Sequence, residues 1–197
     1  MSESVVPDGW EIKRLQDVGR CVRGLTYSPD DVAEKGLLVL RSSNIQDGRL
    51  TFLDNVYVDL NIGDDFMTKL GDIVICVRNG SKRLIGKNAI VKTENLHSTH
   101  GAFMTVFRSE YNEFVQHLMN SDKFFQMVSR DIGATINSIN NSNLLEYRFT
   151  FPPKLEQQKI AAILTSVDNV IESTQAQISK LQDLKTGMMQ ELLTKGI

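Results

Sequence analysis

The sequence predicts an α+β fold. A mixed α/β globular domain over residues 1–152 is followed by one long α-helix over 153–197 that forms a coiled coil. Short apolar runs bounded by turn residues fill the chain up to Phe151. From Ile160 onward the apolar residues instead recur every seven positions. The two regimes meet at Phe151-Pro152-Pro153, and beyond Pro153 neither Pro nor Gly occurs until Gly187.

Candidate strands are Leu37–Arg41, Val56–Leu60, Asp72–Val77, Ala89–Lys92 and Phe103–Phe107, with turn signals such as Asp47-Gly48 and Asn79-Gly80 around them. One helix is expected among them. From Glu110 to Arg130, Phe114, Val115, Leu118, Phe125 and Val128 fall at helical spacing, as in a helix laid on a sheet. Pro153 then suits a helix start, because Pro cannot continue a helix from before it. Downstream, Ile160, Val167, Thr174, Leu181 and Met188 form one heptad line, and Leu164, Ile171, Ile178, Lys185 and Leu192 the other. Thr174 and Lys185 are the two polar exceptions. Some forty residues at 1.5 Å each make a rod roughly 60 Å long. Leaving its seam in water costs on the order of 1–2 kcal/mol per Leu or Ile, so the helix requires a partner.

The 197 residues carry 22 Lys+Arg against 24 Asp+Glu, a net charge of −2. That sum conceals a basic window. Residues 69–92 hold Lys69, Arg78, Lys82, Arg83, Lys87 and Lys92 against Asp72 alone, a net charge of +5. Binding to a phosphate backbone depends on such local potential, so the balance permits a nucleic-acid partner. No apolar run is long enough for a transmembrane helix, and the first twelve residues lack the charge and apolar run of a signal peptide. Cys21 and Cys76 form neither a disulfide framework nor a CxxC metal pair. A cytoplasmic protein is expected, with no membrane association.

Several strings resemble catalytic motifs and fail on spacing. Between Gly80 and Gly86-Lys87 stand five residues rather than the four of a phosphate loop, and Asn88 replaces the hydroxyl that would hold magnesium. Asp8, Glu11 and Lys13 have the residue types of a metal-dependent nuclease but lie on one short segment. Phe151-Pro152-Pro153-Lys154 lacks the leading Asp or Asn of an amino-methyltransferase loop. His97 and His100 lack a third ligand. No catalysis, metal or cofactor is expected.

Three stretches together resemble the specificity subunit of type I restriction–modification systems. They are Pro7-Asp8-Gly9-Trp10-Glu11-Ile12 near the start, Leu70-Gly71-Asp72-Ile73-Val74-Ile75 in the centre, and Phe151-Pro152-Pro153-Lys154-Leu155-Glu156-Gln157-Gln158-Lys159-Ile160-Ala161 before the heptad helix. The resemblance implies a non-catalytic subunit that chooses the DNA sequence for methylation and restriction subunits. In that family, two recognition domains on an antiparallel coiled coil each read one half of a split target, and the helices set the spacer. Full subunits carry two recognition domains and two helical regions, whereas this chain has one of each. The resemblance leaves two expectations open: the first half of a longer subunit, or a half-subunit that pairs with itself to read a palindromic site. A coiled-coil adaptor that binds protein is the competing reading.

Recognition domains differ among family members, so DNA-contacting residues are sought from chemistry. A reader needs cations for phosphate and Arg, Asn or Ser for base edges. Arg41, Ser43 and Asn44, with Gln46 behind them, form one candidate loop. Arg78, Asn79, Ser81, Lys82 and Arg83 form a second, with Lys87 following, and Asn137–Asn143 is a third. The expected coiled-coil interface is Ile160, Leu164, Val167, Ile171, Ile178, Leu181, Met188 and Leu192.

Overall fold

The computed structural model describes residues 6–92, 96–132 and 137–196. The strands are β1 (Glu11–Arg14), β2 (Arg20–Arg23), β3 (Val32–Ala33), β4 (Leu37–Leu40), β5 (Ile45–Gln46), β6 (Arg49–Leu50), β7 (Tyr57–Val58), β8 (Ile73–Cys76), β9 (Asn88–Ile90), β10 (Ser98–His100), β11 (Met104–Arg108) and β12 (Arg148–Phe151). The helices are α1 (Leu15–Val18), α2 (Asn112–Met119), α3 (Asp122–Asp131), α4 (Asn141–Leu145) and α5 (Lys154–Lys195). The chain divides into two compact units, residues 1–157 and 158–197.

Two four-stranded sheets build the first unit, one ordered β2-β11-β8-β9 and the other β10-β4-β7-β3. The short apolar runs explain them. Leu37–Leu40 and Ile73–Cys76 are buried at every position, so both faces of these strands are covered, which a continuous apolar run allows and an alternating one does not. Leu38 and Leu40 from one sheet share a core with Val74, Cys76, Met104 and Val106 from the other. The chain crosses between the sheets at Gly101–Met104, a turn closed by Met104 N donating to the Gly101 carbonyl at 2.8 Å. At Asp47-Gly48 both residues take positive φ (48° and 75°), the two-residue turn that joins β5 to β6 as a tight hairpin.

The expected single helix over Glu110–Arg130 is two, α2 and α3. Ser121 breaks it, because its hydroxyl accepts from Phe124 N and caps a new helix start. The restart turns Phe124 into the core while Phe125 remains partly exposed. β1 pairs antiparallel with β12 in the register Glu11↔Phe151, which sets the N-terminal segment beside the strand that feeds the Pro-Pro junction. Pro153 immediately precedes α5, its carbonyl accepting from Glu156 N and Gln157 N at 2.8 and 3.0 Å.

A buried ion pair lies inside this unit. Asp72 is 2% exposed and receives Arg108 through Nε at 2.8 Å and Nη2 at 2.7 Å. Lys69 N donates to the same carboxylate at 2.7 Å, and Arg108 Nη2 also reaches the Met67 carbonyl at 2.9 Å. The hydrogen bonds to Asp72 hold the Arg108 guanidinium above its ordinary value, against the opposing effect of burial. The clamp fixes the root of β8.

The second unit is helical. α5 runs 42 residues without interruption, about 63 Å at 1.5 Å per residue, and Gly187 leaves it unbroken. Among the described residues no helix is long and apolar enough to cross a membrane, and no group of three or more His, Cys, Asp or Glu is placed to hold a metal.

Candidate nucleic-acid interface

The loop after β4 is organised by Asn44, which is fully buried. Its Oδ1 accepts from Arg41 N at 2.9 Å, and its Nδ2 donates to the Thr51 carbonyl at 3.1 Å and to the Asp54 carbonyl and Asn55 Oδ1 at 3.2 Å. An amide so committed shapes the loop and has nothing left for a base, so Asn44 positions its neighbours. Arg41 Nη2 pairs with Asp54 Oδ2 at 3.0 Å. Arg41 Nε and Ser43 Oγ are buried and lack a hydrogen-bond partner.

The loop after β8 is continuous with the first. Asn79 Nδ2 donates to Ser42 Oγ at 3.0 Å, while Asn79 Oδ1 accepts from Ser81 N at 3.0 Å and so tightens the turn. Arg78, Lys82 and Arg83 are exposed, the last two on a single 3-10 turn over Lys82–Leu84. Lys87 is half-buried, with Nζ 3.4 Å from Gln46 Oε1, which ties β9 to the first loop. Burial raises the Cys76 thiol above its ordinary value, which keeps it protonated as a donor to the Arg78 carbonyl at 3.5 Å.

The third candidate segment joins them through its first residues. Asn137 Nδ2 donates to the Gly80 carbonyl at 3.0 Å, and Ile139 N to the Val77 carbonyl at 2.8 Å. Asn141, Ser142 and Asn143 lie in α4 instead of in a loop, because buried Leu144 draws this stretch into a helical turn. Segments from three distant parts of the sequence thus form one surface.

Arg41, Ser42, Ser43 and Arg78 also line a groove of roughly 780 Å³ that is open to solvent. Tyr27, Ala102 and Phe103 are among its other lining residues, and these were not legible in the sequence. Phe103 reads as a member of a strand run, yet it stands in the turn before β11 and is 57% exposed. The Gly101-Ala102 pair before it was the available sign of a turn. Of the two histidines considered as ligands, His97 is exposed, and His100 is buried with Nε2 3.0 Å from the Val22 carbonyl. Burial lowers the His100 value, so the ring stays neutral and Nε2 donates.

On α5, Leu164, Val167, Ile171, Ile178, Leu181, Met188 and Leu192 are between 40% and 64% exposed, and Ile160 is half-buried. Ile163, Val170 and Leu184 add a second exposed apolar line beside the expected seam.

A mixed two-sheet unit that gathers polar and cationic loops, joined in sequence to a long apolar-striped helix, defines a class with known relatives. The sequence model of the type I restriction modification DNA specificity domain matches residues 7–183, and the chain belongs to that family. It is 29% identical to the type I restriction enzyme EcoKI specificity subunit of Escherichia coli (strain K12) over 98% of its own length and 43% of that protein's. It is 26% identical to the StySPI specificity subunit of Salmonella potsdam over 100% of its own length and 44% of that protein's. The chain therefore spans about half the length of the curated relatives it matches. Among solved structures, the HsdS subunit from Thermoanaerobacter tengcongensis aligns with a TM-score of 0.64 at 16% identity, covering 100% of this chain and 47% of that one. The S subunit of the type I restriction-modification system from M. genitalium aligns at 0.65 and 16%, covering 100% and 49%. At these identities the structures show the shared fold.

Proposed function

We propose that this chain reads one half of a bipartite target in double-stranded DNA and directs methylation and restriction subunits to it, without catalysis of its own. Residues 1–152 act as the target recognition domain. Residues 153–197 act as the spacer helix, pairing through its apolar seam with a second specificity half, either another copy or a second segment of the same kind. The setting is the cytoplasm, where the DNA and the partner subunits are.

The observation that carries this reading is the convergence of the loops at Arg41–Asn44, Arg78–Arg83 and Asn137–Ile139 on one face. Amide and hydroxyl donors there stand beside exposed cations, the combination that duplex recognition requires. Four of the six cations of the 69–92 window, Arg78, Lys82, Arg83 and Lys87, follow the end of β8 that bears this face, which favours a phosphate partner over an adaptor's protein surface.

Duplex affinity measured by fluorescence anisotropy across a salt series tests the proposal. Counterion release predicts a steep linear fall of log K with log salt, with a slope of about −0.9 for each phosphate contacted. Lys82→Ala and Arg83→Ala should each flatten the slope by about one such increment. A salt-independent signal would favour the adaptor.

A further inference from the structure

The groove contains a pair of side chains that act as one. Arg78 Cζ lies 5.7 Å from the centroid of the Phe103 ring, within the range of a cation–π contact. The backbone enforces that pairing, since the Phe103 carbonyl accepts from both Val77 N and Arg78 N at 3.0 Å. Behind them, Arg78 forms a bridge to Ser138 and Phe103 belongs to the closed Gly101–Met104 turn. Among the described residues Arg78 has no carboxylate partner, whereas Arg41 is paired to Asp54 at 3.0 Å. Arg78 is therefore exposed, without a counter-ion among the described residues, and set over an aromatic ring that is itself 57% exposed. Two unpartnered polar atoms, Arg41 Nε and Ser43 Oγ, belong to residues lining the same groove.

An exposed aromatic ring beside an arginine without a carboxylate partner matches one feature of a DNA major groove. Guanine presents O6 and N7 as a two-acceptor edge that a guanidinium fork fits, and thymine presents a C5 methyl that needs an apolar contact. Resting on the proposed DNA reading, we propose that Arg78 and Phe103 read a guanine with an adjacent thymine. Arg78 donates two hydrogen bonds to guanine O6 and N7, and Phe103 covers the thymine methyl. The contact with Phe103 restricts the Arg78 side chain before DNA arrives, so less side-chain freedom is lost on binding.

The test is selection from a random duplex pool by the full chain together with methylation subunits, repeated with Arg78→Ala and Phe103→Ala. Both side chains are exposed, and unchanged unfolding midpoints establish that the variants fold. The parent should enrich a motif containing a thymine–guanine step. Arg78→Ala should lose the guanine preference at that step alone, by roughly 10-fold or more. Phe103→Ala should lose the thymine preference beside it. On the selected duplex, 7-deazaguanine and deoxyuridine at those positions should weaken the parent and leave the matching variant indifferent. A parental motif without such a step, or one that both variants retain, overturns the pair while leaving the DNA reading in place. No parental motif at all overturns the DNA reading and the pair with it.

Discussion

Removing the charge of Asp72 should destabilise the two-sheet unit more than any surface change. Asp72→Asn keeps the volume of a side chain that is 2% exposed. It converts a carboxylate that receives Arg108 Nε, Arg108 Nη2 and Lys69 N, at 2.8, 2.7 and 2.7 Å, into an amide with one acceptor oxygen. Arg108, whose side chain is only 17% exposed, then stands charged without its counter-ion. Breaking a buried pair from one side costs about 3–5 kcal/mol. A domain holds about 5–15 kcal/mol in total, so the loss is a large share of it. At about 2–4 °C per kcal/mol for a chain of this size, the melting midpoint should fall by roughly 6–20 °C. Urea unfolding followed by fluorescence of Trp10, the single Trp of the chain and part of the 1–157 unit, measures this. Asp72→Asn combined with Arg108→Met should recover most of the loss, because it removes the stranded charge. An Asp72→Asn variant within about 1 kcal/mol of the parent would refute the reasoning.

Three other perturbations follow from the same geometry. Gly24→Ala would set a Cβ 2.1 Å from the Gly101 carbonyl oxygen, so it should cost about 1–3 kcal/mol, readable as a shifted urea midpoint, and weaken duplex binding by moving the Phe103 turn. Ile171→Asp or Ile178→Asp should abolish self-association, or pairing with a second half, in sedimentation equilibrium; association as tight as the parent's would mean the seam lies elsewhere. Burial pushes the Cys21 thiol up to about 11 from its ordinary 9.0, so native iodoacetamide labelling at pH 8 should be slow, with about one thiol in a thousand ionised. Because the folded value lies above the ordinary one, folding stability should fall as pH rises from 9.0 to about 11.

The continuous runs were the legible part of this fold. Leu37–Leu40 and Ile73–Cys76 are apolar enough to be strands in any arrangement, and α5 declares itself through its heptads and its lack of Pro. The shorter partners were only partly legible. Tyr57–Val58 falls inside the expected run Val56–Leu60, whereas Val32–Ala33 pairs over two residues, too little for periodicity to register. β10 carries Ser98, Thr99 and His100, polar residues buried in the sheet by hydrogen bonds that only the tertiary structure supplies. Residue chemistry named Arg41, Ser43 and Arg78 for the interface, and the structure sets all three on one groove. It also named Asn44, whose amide serves the loop's own backbone, because composition cannot distinguish an amide facing a partner from one holding a turn. Phe103 was missed for the converse reason, since an aromatic in an apolar run reads as core until its exposure is known.

The central claim is that the face formed by the three loops meets duplex DNA. A titration of isotope-labelled chain with a selected duplex, followed through backbone amide shifts, tests it most directly. The account predicts that the perturbed amides cluster at residues 41–46, 78–87, 101–103 and 137–139. Perturbations confined to α5, or spread over the opposite surface of the two-sheet unit, would contradict it.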